Sequence, residues 1–221
     1  MNNTTSLAEK AYITLEEMII TLELKPGQIV SENEISQVLG IGRMPIREAF
    51  KRLESAGLVS IIPRRGIAIS EMKTDEIFLQ MEVRSVLENL IVKRACKYAN
   101  ASERAQLLQL ANEYEEATNS NDRLHAVRID EEFNRLVGQC SKNPFAWQAI
   151  MPFYALFQRV YFYHYESNEE LTVAINYAHI DLMKNIASGN EQMAIEKLDY
   201  LLKCTERLVR SNMNIWLPEE D

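Results

Sequence analysis

Apolar residues recur along this chain with two different periods. Over residues 6–57 they fall at helical spacing in three short blocks. From 58 to 70 they form two β-branched runs, and beyond about 75 the helical spacing returns with no alternating stretch. In the first block, Ser6 to Glu23, the residues Leu7, Ala11, Leu15, Ile19 and Leu22 define one inner face. The second block opens with Ser31-Glu32-Asn33-Glu34, a capping box that starts a helix at about Glu32. Ile35, Val38 and Leu39 are its expected apolar stripe, and Gly40 supplies the left-handed residue that ends it. In the third block Pro45 lies in the first helical turn, where a missing N–H does no harm. Ile46, Phe50 and Leu53 repeat at i, i+4 and i+7, and Gly57 stops the helix. Leu58 to Ile62 and Ile67 to Ser70 then read as strands joined by Pro63-Arg64-Arg65-Gly66. Three helices followed by a basic-tipped hairpin make a winged helix-turn-helix over residues 1–72.

After a short polar connection at Ser70 to Asp75, residues 73–221 read as helices throughout. Six are expected, at about 75–98, 101–118, 121–140, 144–166, 169–187 and 190–213. Their breaks have local causes: Asn100 with Glu103, Asn143-Pro144, Ser167 with Glu170, and Gly189. The whole is therefore expected to be mainly α, a winged helix-turn-helix followed by an antiparallel helical bundle. Nine aromatic residues crowd into 145–165 around Pro152, a density that fits core or subunit contact before it fits a ligand box.

Charge changes the picture in the first domain. Arg43, Arg47 and Lys51 stand at i, i+4 and i+8, opposite Ile46, Phe50 and Leu53, so they share one exposed edge of the third helix. An arginine-bearing helix N-terminus suits the major groove, where a guanidinium can bond guanine O6 and N7 together, and Arg64 and Arg65 could reach the flanking backbone or minor groove. The net charge of −8 and pI near 5.1 argue against nucleic acid only if charge is uniform. It is not. Residues 1–72 carry eight basic and nine acidic side chains, 73–221 carry sixteen and twenty-three, and 41–66 carry six and two. At physiological salt, charges more than about 8 Å away are largely screened. Local charge should dominate at a contact.

The stretch LKPGQIVSENEISQVLGIGRMPIREAFKRLESAGLVSIIPRRGIAIS resembles the DNA-binding domain of GntR-family bacterial transcription regulators, over roughly residues 7–70. That resemblance places Gly42 to Phe50 at the opening of the recognition helix. It implies DNA contacts from Ser31, Asn33, Arg43, Met44, Pro45, Arg47, Lys51, Arg64, Arg65 and Gly66. Gly42 departs from the usual serine cap and Met44 from a small hydroxyl residue; Met44 can touch a thymine methyl but cannot donate a hydrogen bond.

The second half is similar to the FCD ligand-sensing domain of FadR-like members, in its six-helix subgroup. Val83-Arg84-Ser85-Val86-Leu87-Glu88 matches "R-x-x-L-E", Asp130 to Asn134 matches "D-x-x-F-H", and Tyr177-Ala178-His179 matches a metal-binding histidine. The metal form of that domain uses one Asp and three His. Here Asn134 and Leu201 stand where two of those histidines would be, which leaves Asp130 and His179 as a partial set for a divalent metal. In relatives the matching arginine often meets a ligand carboxylate, and if Arg84, Asp130, Asn134, Arg159 and His179 converge inside the bundle they form a buried polar cavity for a small carboxylate. His125 and His164 are expected to be surface or packing residues.

The expected function is a cytoplasmic, homodimeric regulator that binds double-stranded DNA at a palindromic operator and responds to a small-molecule effector. A metal-dependent regulator of the same architecture is the alternative. No nucleophile elbow, H-E-x-x-H or phosphate loop is present, so an enzyme such as a metal-assisted hydrolase is not expected. No apolar run approaches the ~18 residues that span a bilayer. Cys96, Cys140 and Cys204 lack C-x-x-C spacing and are expected as buried reduced thiols.

Overall fold

A computed structural model describes residues 6–164 and 168–211. The chain forms two compact units, one of Met1–Lys73 with Ala155–Phe162, the other of Thr74–Tyr154 with Tyr163–Asp221.

The first unit contains α1 (Leu7–Ile20), β1 (Ile29–Val30), α2 (Glu32–Leu39), α3 (Arg43–Ser55), β2 (Val59–Ile62) and β3 (Gly66–Ile69). The capping box forms as the sequence predicts: Ser31 Oγ accepts from the Glu34 N–H at 3.2 Å, and Glu34 Oε2 accepts from the Ser31 N–H at 2.8 Å. Gly40, at φ +64°, ends α2. Ala11, Leu15, Ile19, Ile46, Phe50, Leu53, Leu58 and Ile69 are almost fully enclosed. Each such large side chain contributes about 1.5–3 kcal/mol of burial. Four expectations fail. α1 stops at Ile20, because Leu22 turns into the left-handed region at φ +64° and the Leu24 N–H reaches back to Met18 O at 2.9 Å. Leu24 is therefore buried where Leu22 was expected, and Leu7 is exposed. Val38 is exposed as well, so α2 seats on Ile35 with only partial cover at Leu39.

The sheet is antiparallel in the order β1-β3-β2, with Val30 opposite Ile67 and Ile61 opposite Ile67 on the other side. Strand β1 is too short to leave a pattern in the sequence. At the hairpin tip the Arg65 N–H donates to Ile62 O at 3.0 Å across Pro63 and Arg64, with Arg64 at φ +65°, as in a type II turn. Gly66 is required there: its φ is +118°, and a Cβ would stand 2.7 Å from Val30 O.

The second unit is built from α4 (Thr74–Tyr98), α5 (Ala101–Asn119), α6 (Arg123–Cys140), α7 (Pro144–His164), α8 (Glu169–Ser188) and α9 (Glu191–Ser211); Ala155–Phe162 of α7 groups with the first unit. The expected extensions at 165–167 and 212–213 lie outside the described residues. α8 packs between α5 and α9, while α4 lies against α9 and α6. Gly138 of α6 admits the Trp147 ring, which a Cβ would meet at 2.3 Å. Arg104 of α5 closes two helix ends, donating to Cys96 O and Ala99 O beside the end of α4 and to Ile186 O and Ala187 O of α8, at 2.6–3.0 Å. The three cysteines are buried and free; burial raises the Cys96 and Cys140 thiols to about 11. No helix among the described residues is long and apolar enough to cross a membrane.

Candidate functional site

Two groups of residues stand out, one in each unit. In the first, the amphipathic spacing of α3 puts Ile46, Ala49, Phe50 and Leu53 inside and leaves Arg43, Met44, Arg47 and Lys51 exposed along the opposite side. Asn33 is exposed at the start of α2, Ser31 is engaged in the cap, Pro45 is half-buried, and Arg64 and Arg65 are exposed beside half-buried Gly66 at the hairpin tip.

The basic edge is not uniformly available. Arg47 Nε and Nη2 donate to Glu32 Oε1 and Oε2, both at 2.8 Å, a two-pronged pair between α3 and α2. The Arg47 hydrogen bonds hold the Glu32 carboxyl below the usual carboxylate range despite its partial burial, with added help from the fields of Arg47, Arg43 and Lys51. Arg52 is held by Glu9 at 2.6 Å and lies over the Tyr12 ring at 3.9 Å, so it serves α1–α3 packing. Arg43, Lys51, Arg64 and Arg65 make no ion pair among the described residues. The local positive charge therefore resides on those four, and Glu32 and Glu9, outside the 41–66 window, explain why the sequence count overstated it.

In the second unit, Arg84 and Glu88 of α4, Asp130 and Asn134 of α6, and His179 of α8 meet in the bundle interior. Arg84 Nε donates to Glu88 Oε1 at 2.8 Å, and both side chains are only 8% exposed. Burial opposes the guanidinium charge, but the Glu88 field and hydrogen bond more than offset it, so Arg84 is held above its ordinary pKa. Glu88 Oε2 is buried with no hydrogen-bond partner among the described residues. His179 Nδ1 lies 2.9 Å from Ile175 O and Nε2 lies 3.1 Å from Asp130 Oδ1, while its ring stacks on Tyr114 at 5.5 Å. Both oxygens are acceptors, so keeping both contacts as hydrogen bonds takes a proton on each ring nitrogen or one on the carboxyl. Asn134 Nδ2 donates to the other Asp130 oxygen at 3.1 Å.

Arg84, Glu88, Asn134, Tyr154 and His179 line a cavity of about 10 Å³, walled otherwise by Ile91, Val92, Phe133, Val137, Leu182, Leu198 and Leu201. That volume is at the lower limit for a single water. Tyr154 is enclosed, and burial, with the field of Glu88 next, pushes its hydroxyl well above the usual value.

Two expectations are corrected here. Arg159 does not join this group. It belongs to the first unit, fully buried, where Nη2 donates to Ser70 O at 2.7 Å and burial alone lowers its pKa to about 10. Helical spacing cannot tell which end of α7 turns toward which unit. Nor does the pocket fit a divalent metal: Asn134 could add only a neutral amide oxygen, Leu201 offers carbon, and no three His, Cys, Asp or Glu among the described residues are grouped to hold an ion. Sequence reasoning also passed over Glu88, Tyr154 and Glu32 as site residues. The i, i+4 placement of Glu88 after Arg84 was the available signal for the first; the other two depend on tertiary contact.

A winged helix-turn-helix with a basic edge, followed by a helical bundle, is the architecture of a DNA-binding transcription regulator. The family models agree: the gntR family of bacterial regulatory proteins matches residues 7–69 and the FCD domain matches 80–203. The chain belongs to the GntR family of transcription regulators, in the group that carries an FCD domain, and not to a family of enzymes. It is 24% identical over 224 residues to the HTH-type transcriptional repressor RspR of Escherichia coli K12, covering 100% of this chain and 97% of that one. Among solved structures, E. coli McbR/YncC superposes with a TM-score of 0.76 at 19% identity, over 95% of this chain and 96% of that one. A transcriptional regulator GntR from Rhodococcus sp. RHA1 superposes at 0.71 and 20% identity, over 92% and 97%. Those structural likenesses bear on the fold.

Proposed function

We propose that this protein is a homodimeric, cytoplasmic regulator that grips a palindromic operator through its two winged domains and changes affinity when a small effector enters the helical unit. The observation that carries the DNA half is the exposed edge of α3, on which Arg43, Met44, Arg47 and Lys51 stand together with Arg64 and Arg65 at the hairpin tip. In this reading Arg43, and Arg47 once it exchanges Glu32 for DNA, address bases or phosphates from the start of the recognition helix, Met44 contacts a thymine methyl, and the hairpin arginines hold the flanking backbone. Ser31 and Asn33 would present the start of α2 to the backbone, and Pro45 and Gly66 would fix the backbone shape at α3 and the wing.

The effector half is supported by Arg84, Glu88, Asp130, Asn134 and His179 in the bundle interior. Arg84 already faces Glu88, and Glu88 Oε2 lacks a donor among the described residues. A small carboxylate that also carries an N–H or O–H group would satisfy both residues. The cavity is too small for such a molecule, so binding would select a more open arrangement of the bundle, which is the differential affinity a switch needs.

The test is a fluorescence-anisotropy titration of the protein on its own upstream DNA at two salt concentrations, with Arg43→Ala and Arg47→Ala beside the parent. Both variants should bind more weakly and with a shallower salt dependence. Parental affinity in both would remove α3 from the interface. Native mass spectrometry of the purified protein should show a two-chain species and, where effector is retained, one organic adduct per chain.

A further inference from the structure

The face of α4 that looks away from α6 and α9 carries an apolar seam. Leu79, Val83, Val86 and Leu90 are 63, 49, 70 and 43% exposed, although their spacing of four, three and four is that of a coiled-coil core. Exposed Glu76 and Lys93 continue the same spacing, one at each end. The six positions are also palindromic. Leu79 and Leu90, Val83 and Val86, and Glu76 and Lys93 lie at equal distances on either side of the midpoint between Arg84 and Ser85.

That symmetry has a physical use. In a two-fold pair every contact of residue i with residue j recurs as j with i, and an antiparallel coiled coil stacks its layers in that manner. We propose that α4 pairs antiparallel with the α4 of a second copy of this chain, setting Leu79 against the partner's Leu90, Val83 against the partner's Val86, and Glu76 against the partner's Lys93. A parallel pair would place Glu76 on its own copy and Lys93 on its own copy, so charge selects the antiparallel arrangement. Two opposite-charge layers close the ends of four apolar ones. The same helix sends Arg84 and Glu88 into the pocket from its other side. A shift of the seam and a change in the pocket would thus be motions of one rod. This inference rests on the homodimer of the proposed function and adds its surface and register.

Size exclusion with light scattering of the full chain, at micromolar concentration, should give the mass of two 25.5 kDa chains. Val86→Glu should raise the dimer dissociation constant at least about tenfold while the helical circular dichroism is kept. Glu76→Lys and Lys93→Glu should each weaken the dimer, and the double variant should regain it, which misfolding cannot imitate. Under oxidation the Leu79→Cys/Leu90→Cys protein should cross-link into dimers, whereas neither single variant should. Linkage of Leu79→Cys alone would replace the antiparallel register by a parallel one and overturn the proposal. So would a Val86→Glu protein that stays dimeric, in which case the homodimer stands and only the seam falls. A parent chain that is monomeric on and off DNA would remove the homodimer itself.

Discussion

Removing Arg84 alone should cost far more than removing it together with Glu88. The two side chains are 8% exposed and joined at 2.8 Å, and the charge on Arg84 is sustained against burial chiefly by Glu88. Arg84→Met keeps the side-chain length but leaves the Glu88 carboxylate in the bundle with no cation bonded to it. Breaking one side of a buried pair costs about 3–5 kcal/mol, whereas replacing both partners with apolar residues of similar volume is neutral or stabilising by about 1–4 kcal/mol. Against a stability of roughly 5–15 kcal/mol, the single variant loses about a fifth or more, and Arg84→Met/Glu88→Leu recovers it. Urea denaturation at pH 7.5, followed by circular dichroism with unchanged slopes, measures both. The single variant should also be acid-relieved. An orphaned buried carboxyl takes a proton more readily folded than unfolded, so its penalty is full at neutral pH and shrinks as pH falls toward the ordinary glutamate range. A double variant no more stable than the single one, or a single-variant deficit that is flat with pH, would refute the view that the pair is held by mutual neutralisation.

Gly66→Ala should destabilise the winged unit by about 1–3 kcal/mol from backbone strain alone, because the residue sits at φ +118° and its Cβ would press on Val30 O; a thermal scan that leaves the first unit's transition in place would contradict this. Burial lowers the His164 pKa. The folded state therefore resists protonating it: this share of stability is full above about pH 6.5 and is lost as pH falls through the folded value. Melting temperatures between pH 7.5 and 5 should fall less steeply in His164→Gln than in the parent.

How far these features were legible depends on how local their causes are. The cap at Ser31 and Glu34, the stop at Gly40 and the turn from Pro63 to Gly66 are each decided by a few neighbouring residues, and all appear where the sequence places them. Leu7, Leu22 and Val38 fit a helical stripe but are not enclosed, since periodicity names a face and not the partner that covers it. Ile29–Val30 is a strand only because β3 lies beside it. In the candidate sites, Arg43, Arg47 and Lys51 were readable as one edge, but the diversion of Arg47 to Glu32 is a contact across 15 residues. Arg159 shows the same limit more sharply: its type suggested an anion grip, while its position along α7 gives it to Ser70 O.

Arg104 has a consequence for how the helical unit opens. Four donor contacts run from one planar guanidinium to carbonyls at the ends of α4 and α8, with Gly189 leaving just enough room beside it. Helix ends ordinarily fray first and independently. Here two ends and the start of α5 share a single clasp, so they must loosen together or not at all. Amide hydrogens in those three segments would then exchange with one common protection, and a lysine at 104, with three donors and no planar fork, would split that common value into separate ones.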